Sequence, residues 1–248
     1  MSDGIYVSMC GAVARTEQLE SVADNLANLQ TRGFKASRPA FESFLPAAGG
    51  YDKAYPATAA SIIDLRPGPT SITGNSLDVV PQDGAFLAVQ GPGGLVNFTR
   101  DGHLGLDADR RLVVGGHPVL GRGGQVVTVP SGYTPEILPN GTVRGVLSGT
   151  GERNGQPGDI TLGELTTFRL EGTVNRTGSA TLRPGPGGAA SENRETRLRI
   201  GEVELGNASP LETTVQMISA QRNFDTSMQA LQTYRTMDQR ASELGRTR

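Results

Sequence analysis

The chain has one cysteine, no tryptophan, two histidines and only 5% aromatic residues among 248. A lone Cys10 excludes an intrachain disulfide framework, and no neighbour in sequence would activate it as a nucleophile, so it reads as a small apolar helix residue. His103 and His117 stand near Asp101, Asp107 and Asp109, but without His-x-x-x-His or Cys/His spacing they read as solvated or turn-capping groups, not as a metal centre. A Ser-His-Asp set can be assembled from any long sequence and says nothing here. The Gly-rich stretches 91–94, 121–124 and 185–188 lack the Lys-Ser/Thr that follows a phosphate loop, and they do not precede helices. We therefore assign no catalytic residue, no cofactor and no metal. The missing tryptophan and scarce aromatics also leave little material for a sugar-stacking platform, the feature a secreted β-rich carbohydrate-binding protein would need.

Charge of one sign is absent as well. Lys and Arg number 23 against 25 Asp and Glu, for a net charge of -2, and no block of like charge stands out. That removes the electrostatic footprint expected for nucleic acid or an anionic membrane. No run of about 18 apolar residues is present for a transmembrane helix. Asp3, Ser8, Arg15 and Glu17 interrupt the apolar stretch that a secretory leader requires. Export, if it occurs, is expected to use a route without a cleaved signal.

Glycine and proline are plentiful: 34 and 15 residues, about a fifth of the chain against roughly 12% in average usage. They cluster between positions 46 and 210, among short strand-like runs such as Leu77–Val80, Ala85–Val89, Leu95–Thr99, Arg111–Val114 and Val126–Val129. Thr134–Leu138 and Thr142–Val146 flank a Pro139-Asn140-Gly141 turn, and Ile160–Leu162, Leu165–Leu170 and Arg197–Val203 follow. Short strands at such intervals predict a mostly antiparallel sheet, sandwich or barrel.

The two ends differ from this middle. Leu19, Val22, Leu26 and Leu29 keep 3-4-3 spacing on a helix expected from about Ile5 to Leu29 or Gln30, stopped by Thr31-Arg32-Gly33. Near the C-terminus Met217, Phe224, Met228 and Leu231 lead into Tyr234, Met237, Ala241 and Leu244. Ser209-Pro210-Leu211-Glu212 places Ser at the N-cap, Pro at the first helical position and Glu two residues later, a strong start signal. The expected fold is mixed α and β: long N- and C-terminal helices, paired in coiled-coil fashion, flanking a β-rich, mostly antiparallel centre. The expected division is an N-terminal helix at 1–33, an extended connecting segment at 34–80, a β-rich outer domain at 81–205 and a C-terminal helix at 206–248. For Asn25 and Asn28 two readings stay open, amide bonds to neighbouring helices or local capping of the helix end.

Leu19 to Asn28, followed by Thr31-Arg32-Gly33-Phe34-Lys35-Ala36, resembles the N-terminal signature of the bacterial flagellar rod and hook axial proteins. Phe98-Thr99-Arg100-Asp101-Gly102-His103 and Gly116-His117-Pro118-Val119-Leu120-Gly121 resemble their central β region. Gly206 to Asn223 resembles the C-terminal lead-in, with Met217-Ile218 and Gln221-Arg222-Asn223-Phe224 matching. Ile5-Tyr6, Met9 and Asp238-Gln239-Arg240-Ala241 are most similar to the proximal-rod branch. A distal-rod or hook paralogue is the nearer alternative, and a secreted carbohydrate-binding protein the farther one.

The resemblance implies a non-enzymatic structural subunit of the periplasmic rod, the shaft that transmits motor torque. It implies export through the flagellar type III apparatus and polymerisation of the terminal helices with copies of the chain and other rod subunits, inside the basal-body rings. The subunit-interface residues expected on that basis are Leu19, Val22, Leu26, Leu29, Met217, Phe224, Met228, Leu231, Met237 and Leu244. Phe41 and Leu45 resemble a short export-recognition pattern, and they also suit a plain anchor for the segment after the helix. Neither nucleic acid nor a small-molecule ligand is expected.

Overall fold

The computed structural model describes residues 2–44, 55–147 and 158–246. It divides into two units, one made of Met1–Ala27, Ser37–Asp64 and Ala208–Arg248, the other of Asn28–Ala36 and Leu65–Asn207. The first, helical unit holds α1 (Ser2–Ala27), β1 (Ser37–Phe44), β2 (Tyr55–Ile63) and α2 (Pro210–Arg246). β1 and β2 are antiparallel, with a register shift between Arg38 and Ala40. Pro39 lies at that shift and has no N–H to give to a ladder. Hydrophobic spacing does not announce this strand pair, because the run that holds it is mostly small and polar.

The coiled-coil pair expected from the sequence is not what the structure has. Among the described residues two α-helices are present, α1 of 26 and α2 of 37 residues, and α1 lies against β1 and β2 as well as against α2. The buried positions are mainly small: Ala12, Ala14 and Val22 on α1, Thr213, Ala220 and Leu231 on α2. Knobs-into-holes packing needs a sustained row of large a and d side chains facing a partner. Here Met228, Tyr234 and Met237 of the proposed seam face solvent. The apolar spacing is real, but small residues make the contact and much of the large apolar surface stays outside.

The second, β unit carries β3 (Thr70–Ile72), β4 (Val79–Pro81), β5 (Phe86–Gln90), β6 (Val96–Thr99), β7 (Leu104–Leu106) and β8 (Leu112–Val114). Then come β9 (His117–Pro118), β10 (Tyr133–Ile137), β11 (Thr142–Leu147), β12 (Asp159–Glu164), β13 (Thr167–Glu171) and β14 (Val174–Arg176). β15 (Thr181–Pro184), β16 (Ala189–Glu192), β17 (Leu198–Ile200) and β18 (Glu202–Glu204) complete it. A six-stranded sheet has the order β14-β15-β6-β5-β13-β16; β10-β11-β12 and β7-β8-β9 form three-stranded sheets, and β17 pairs with β4 as β18 pairs with β3. All the pairings are antiparallel.

Alternation along these strands sends one set of side chains inward, and Leu87, Val89, Leu112, Val119, Val143 and Leu165 are fully enclosed in one core. Two glycines allow close backbone approach. A Cβ on Gly102 would sit 1.6 Å from the Val79 carbonyl oxygen. Gly33, at φ +67, would place one 2.1 Å from the Asp101 nitrogen. Neither position accepts a side chain without moving its neighbour.

Three charges are enclosed in the same unit. Lys35, Arg100 and Glu204 are 1%, 2% and 0% exposed. Lys35 Nζ donates to Glu204 Oε1 at 2.6 Å and to the Arg66 carbonyl at 2.7 Å. Arg100 donates Nε to Glu204 Oε2 at 2.9 Å, pairs with the same oxygen through Nη2, and gives Nη1 to the Ala85 carbonyl. The Gly68 amide adds a bond to Oε1 at 3.0 Å. Burial alone would push the Glu204 carboxyl up; Arg100, Lys35 and the Gly68 amide outweigh it and hold the group below its usual range.

Glu204→Gln would leave two enclosed cations without their counter-charge, at a cost on the order of 3–5 kcal/mol. The sign with pH follows from the lowered carboxyl. Its stabilisation is complete above the unfolded carboxylate pKa and is lost as pH falls toward the folded one. Asp101, whose carboxyl burial pushes up, works in the opposite direction, so the comparison between the two proteins isolates Glu204. Urea midpoints measured from pH 3.5 to 7 are expected to fall on the acid side in the unsubstituted protein, with that part of the slope missing from Glu204→Gln.

Candidate functional site

The helical unit is the candidate site, and its local structure follows from the residues at each helix end. α2 begins at Pro210, so Ser209 occupies the cap position and Glu212 the first turn. The Thr213 amide donates to the Ser209 carbonyl at 2.9 Å and opens the helical ladder. Glu212 Oε1 accepts from Gln216 Nε2 at 3.0 Å, one turn on. α1 ends at Ala27, so Leu29 lies in the turn beyond the helix and not on its seam. In that turn the Thr31 amide and hydroxyl donate to the carbonyl and side-chain oxygens of Asn28.

Asn25 does something that neither reading of the sequence contained. Its side chain lies buried between α1 and the start of β1, where Nδ2 donates to the Ser37 carbonyl at 2.8 Å and Oδ1 accepts from the Ser37 amide at 2.9 Å. Ser21 adds a hydroxyl bond to the same carbonyl at 3.2 Å. One side-chain amide thus replaces a strand neighbour for Ser37 and ties helix to strand.

The expected interface residues separate into three sets. Val22 and Leu231 are buried within the chain, while Leu19, Leu26, Leu29, Met217 and Phe224 are half-buried. Met228 and Met237 are exposed, and the side chain of Leu244 falls outside the described residues. Leu45 also lies outside them; Phe41 is on β1, opposite Thr58 in register, with its side chain likewise outside the description.

A further apolar row was not singled out from the sequence. Leu211, Val215 and Ile218 are 78%, 55% and 47% exposed. At about 100° per residue they fall on the side of α2 turned away from Thr213, Ala220 and Leu231. Their 4-3 spacing was the available signal, masked by the stronger one starting at Met217. On α1, Met9 and Val13 are exposed one turn apart.

Nothing resembling a reaction centre forms around the two histidines. His103 Nδ1 lies 2.6 Å from Asp78 Oδ1, and Asp78 also accepts from Thr73 Oγ1 at 2.5 Å and Asn75 Nδ2 at 3.2 Å. The carboxylate stands between the hydroxyl and the imidazole, so no hydroxyl is held against a base. Asp101 accepts the His103 amide, and burial raises its carboxyl. At Asp107 desolvation acts upward, but the Arg111 amide and guanidinium outweigh it and hold the carboxyl below its usual range. Among the described residues no group of three or more His, Cys, Asp or Glu side chains is arranged to hold a metal. None of their helices is long and apolar enough to cross a membrane.

Lys35, Arg100, Glu204 and Asn207 carry more of the architecture than the sequence suggested. Asn207 accepts the Ala36 amide at 2.7 Å, donates its own amide to the Phe34 carbonyl at 3.2 Å, and gives Nδ2 to the Arg66 carbonyl at 3.0 Å. Arg176 stacks 4.4 Å over the Phe34 ring and donates to the Lys35 carbonyl. Residues 28–36, 65–69 and 204–207, through which the chain leaves and re-enters the β unit, are thereby joined in one hydrogen-bonded cluster.

Asn25→Ala would remove the side-chain acceptor of the buried Ser37 amide and leave its carbonyl with the Ser21 hydroxyl alone, at about 1–3 kcal/mol for the amide left unpaired. The Ser37 amide should then exchange with deuterium at least tenfold faster, with the exchange of the β-unit core unchanged.

Comparisons with known proteins agree on one family. Residues 201–244 match the family model described as flagellar basal body rod FlgEFG protein C-terminal. The chain is 29% identical over 253 residues to the flagellar basal-body rod protein FlgF of Salmonella typhimurium, covering 98% of each. It is 27% identical over 251 residues to FlgF of Mesorhizobium japonicum, covering 99% of each. With FlgG of Buchnera aphidicola from Acyrthosiphon pisum it shares 28% over 273 residues, covering 98% of this chain and all of the relative. Over nearly its whole length the chain is thus similar to flagellar basal-body rod proteins, with the family-model match confined to its C-terminal part.

Proposed function

We propose that the protein is a structural subunit of the proximal rod that assembles through its terminal helices, with copies of itself and with other rod subunits, into the shaft that carries motor torque. The observation that carries this reading is the row of Leu211, Val215 and Ile218 exposed on α2, with Met9 and Val13 exposed on α1. Large apolar side chains left in water on a helix end are a surface suited to a neighbour. Burying each one contributes on the order of 1.5–3 kcal/mol, and a polymer repeats that gain at every subunit. The half-buried Leu19, Leu26, Met217 and Phe224 lose their remaining exposure on assembly, with Met228, Met237 and Leu244 as further contacts along α2. Chemistry has no part in the role, and no cofactor is required.

The subunit reaches the rod through the type III export apparatus and sits inside the basal-body rings. Phe41 and Leu45 are the recognition pair for that export.

Leu211→Asp combined with Ile218→Asp, placed in the chromosomal copy, is expected to leave the far-ultraviolet spectrum and melting temperature of the purified subunit unchanged, because both positions are exposed in the single chain. The same cells should build no complete rod by electron microscopy and should not swim. Normal swimming would remove the assembly role of this face. Leu26→Asp and Phe224→Asp should also abolish motility.

Replacing Phe41 and Leu45 by Ala should keep the subunit in the cytoplasm at normal abundance. Immunoblots of cytoplasmic and exported fractions test this, and undiminished export would return the two residues to a purely structural role.

A further inference from the structure

The six-stranded sheet ends at β16, which pairs with β13 on one side and with no strand on the other among the described residues. Register and hydrogen bonding decide which of its backbone groups stay free. The Asn193 amide donates to the Thr167 carbonyl at 2.9 Å, so Asn193, Ser191 and Ala189 turn their backbone groups toward β13. Ala190 and Glu192 therefore turn theirs outward. Where the edge strand β10 carries Pro135, β16 has neither proline nor lysine to discourage a newcomer.

An arginine-lined recess of about 390 Å³ adjoins this edge, bordered by Arg169, Asn193, Arg194 and Arg197 together with Asp83 and Glu195. Arg197 is bound to Glu195 at 3.0 Å. Arg169 and Arg194 make no ion pair among the described residues, and Asp83 is the remaining carboxylate, so the lining carries a net positive charge. Arg169 stands opposite Ser191 in register, on the face it shares with Ala189. Those two side chains are small and leave the outer row open to a guanidinium. Glu192 pairs with Phe168 and lies on the other face; Glu171, opposite Ala189, is the carboxylate on the arginine face and does not line the recess.

We propose that β16 and this recess together take an extended acidic segment of a partner protein, added as a seventh strand. Backbone bonds to Ala190 and Glu192 supply the pairing, and carboxylates of the segment meet Arg169 and Arg194. A free edge alone would accept any extended chain; the unpaired arginines select an acidic one. The surface belongs to the β unit and uses neither terminal helix, so it stands or falls separately from the assembly role.

The test uses the full-length protein and a fluorescein-labelled ten-residue peptide of alternating Glu and Thr, followed by anisotropy. The expected result is saturable binding that weakens with salt, with amide exchange slowed at Ala190 and Glu192. Ala190→Pro removes an outward N–H and no ladder bond, and is expected to weaken binding at least tenfold. Arg169→Gln with Arg194→Gln, both on the surface, should do the same and serves if the proline variant does not fold. Absence of peptide binding would overturn the proposal. So would unchanged affinity in the folded proline variant, or displacement of the peptide by inorganic phosphate at equal charge concentration, either of which would reduce the recess to a plain anion site.

Discussion

A single carboxylate, Glu204, accepts from two cations that lie far from it in sequence, Lys35 from the segment after the first helix and Arg100 from the end of β6. Enclosed charges are tolerated only where their hydrogen bonds are nearly all satisfied, and here six hydrogen bonds close around three side chains. The ends of the β unit's chain segments are consequently held in a defined register. Asn207, two residues beyond β18, extends the cluster by bonding to Phe34, Ala36 and Arg66.

The helical unit uses its residues in an unexpected order. Small side chains such as Ala12, Ala14, Thr213 and Ala220 are inside, whereas Leu211, Val215, Ile218 and Met237 are outside. Small residues let helix and strand backbones come close, and Asn25 can then reach the Ser37 backbone with both ends of its amide. The arrangement consumes little apolar surface internally. What remains stays exposed, so the unit folds and still presents large apolar groups on its helices.

Much of the β unit was legible because period-2 alternation and Gly- or Asn-containing turns are local signals. The Pro139-Asn140-Gly141 turn lies between β10 and β11, with Gly141 at φ +86 and the Asn140 side chain accepting the Thr142 amide. The start of α2 was equally local, since Ser209 and Pro210 act within one turn. The β1–β2 pair was not legible, because its strands hold small and polar residues whose pairing depends on α1 beside them. The expected coiled coil failed for a related reason. Spacing identifies one face of a helix, but which large residues on that face are covered depends on what else competes for the space.

From the sequence by itself came the location and capping of the terminal helices, the antiparallel character of the centre, the lack of a metal or phosphate motif, and the family signatures. Each rests on residues within a few positions of one another, where backbone preference and side-chain spacing act directly. Tertiary structure alone decided that Glu204 neutralises Lys35 and Arg100, that Asn25 serves a strand, and that Leu211, Val215 and Ile218 remain in water. Those outcomes join positions as much as 169 residues apart, and a long-range contact leaves no periodic trace in the chain that makes it.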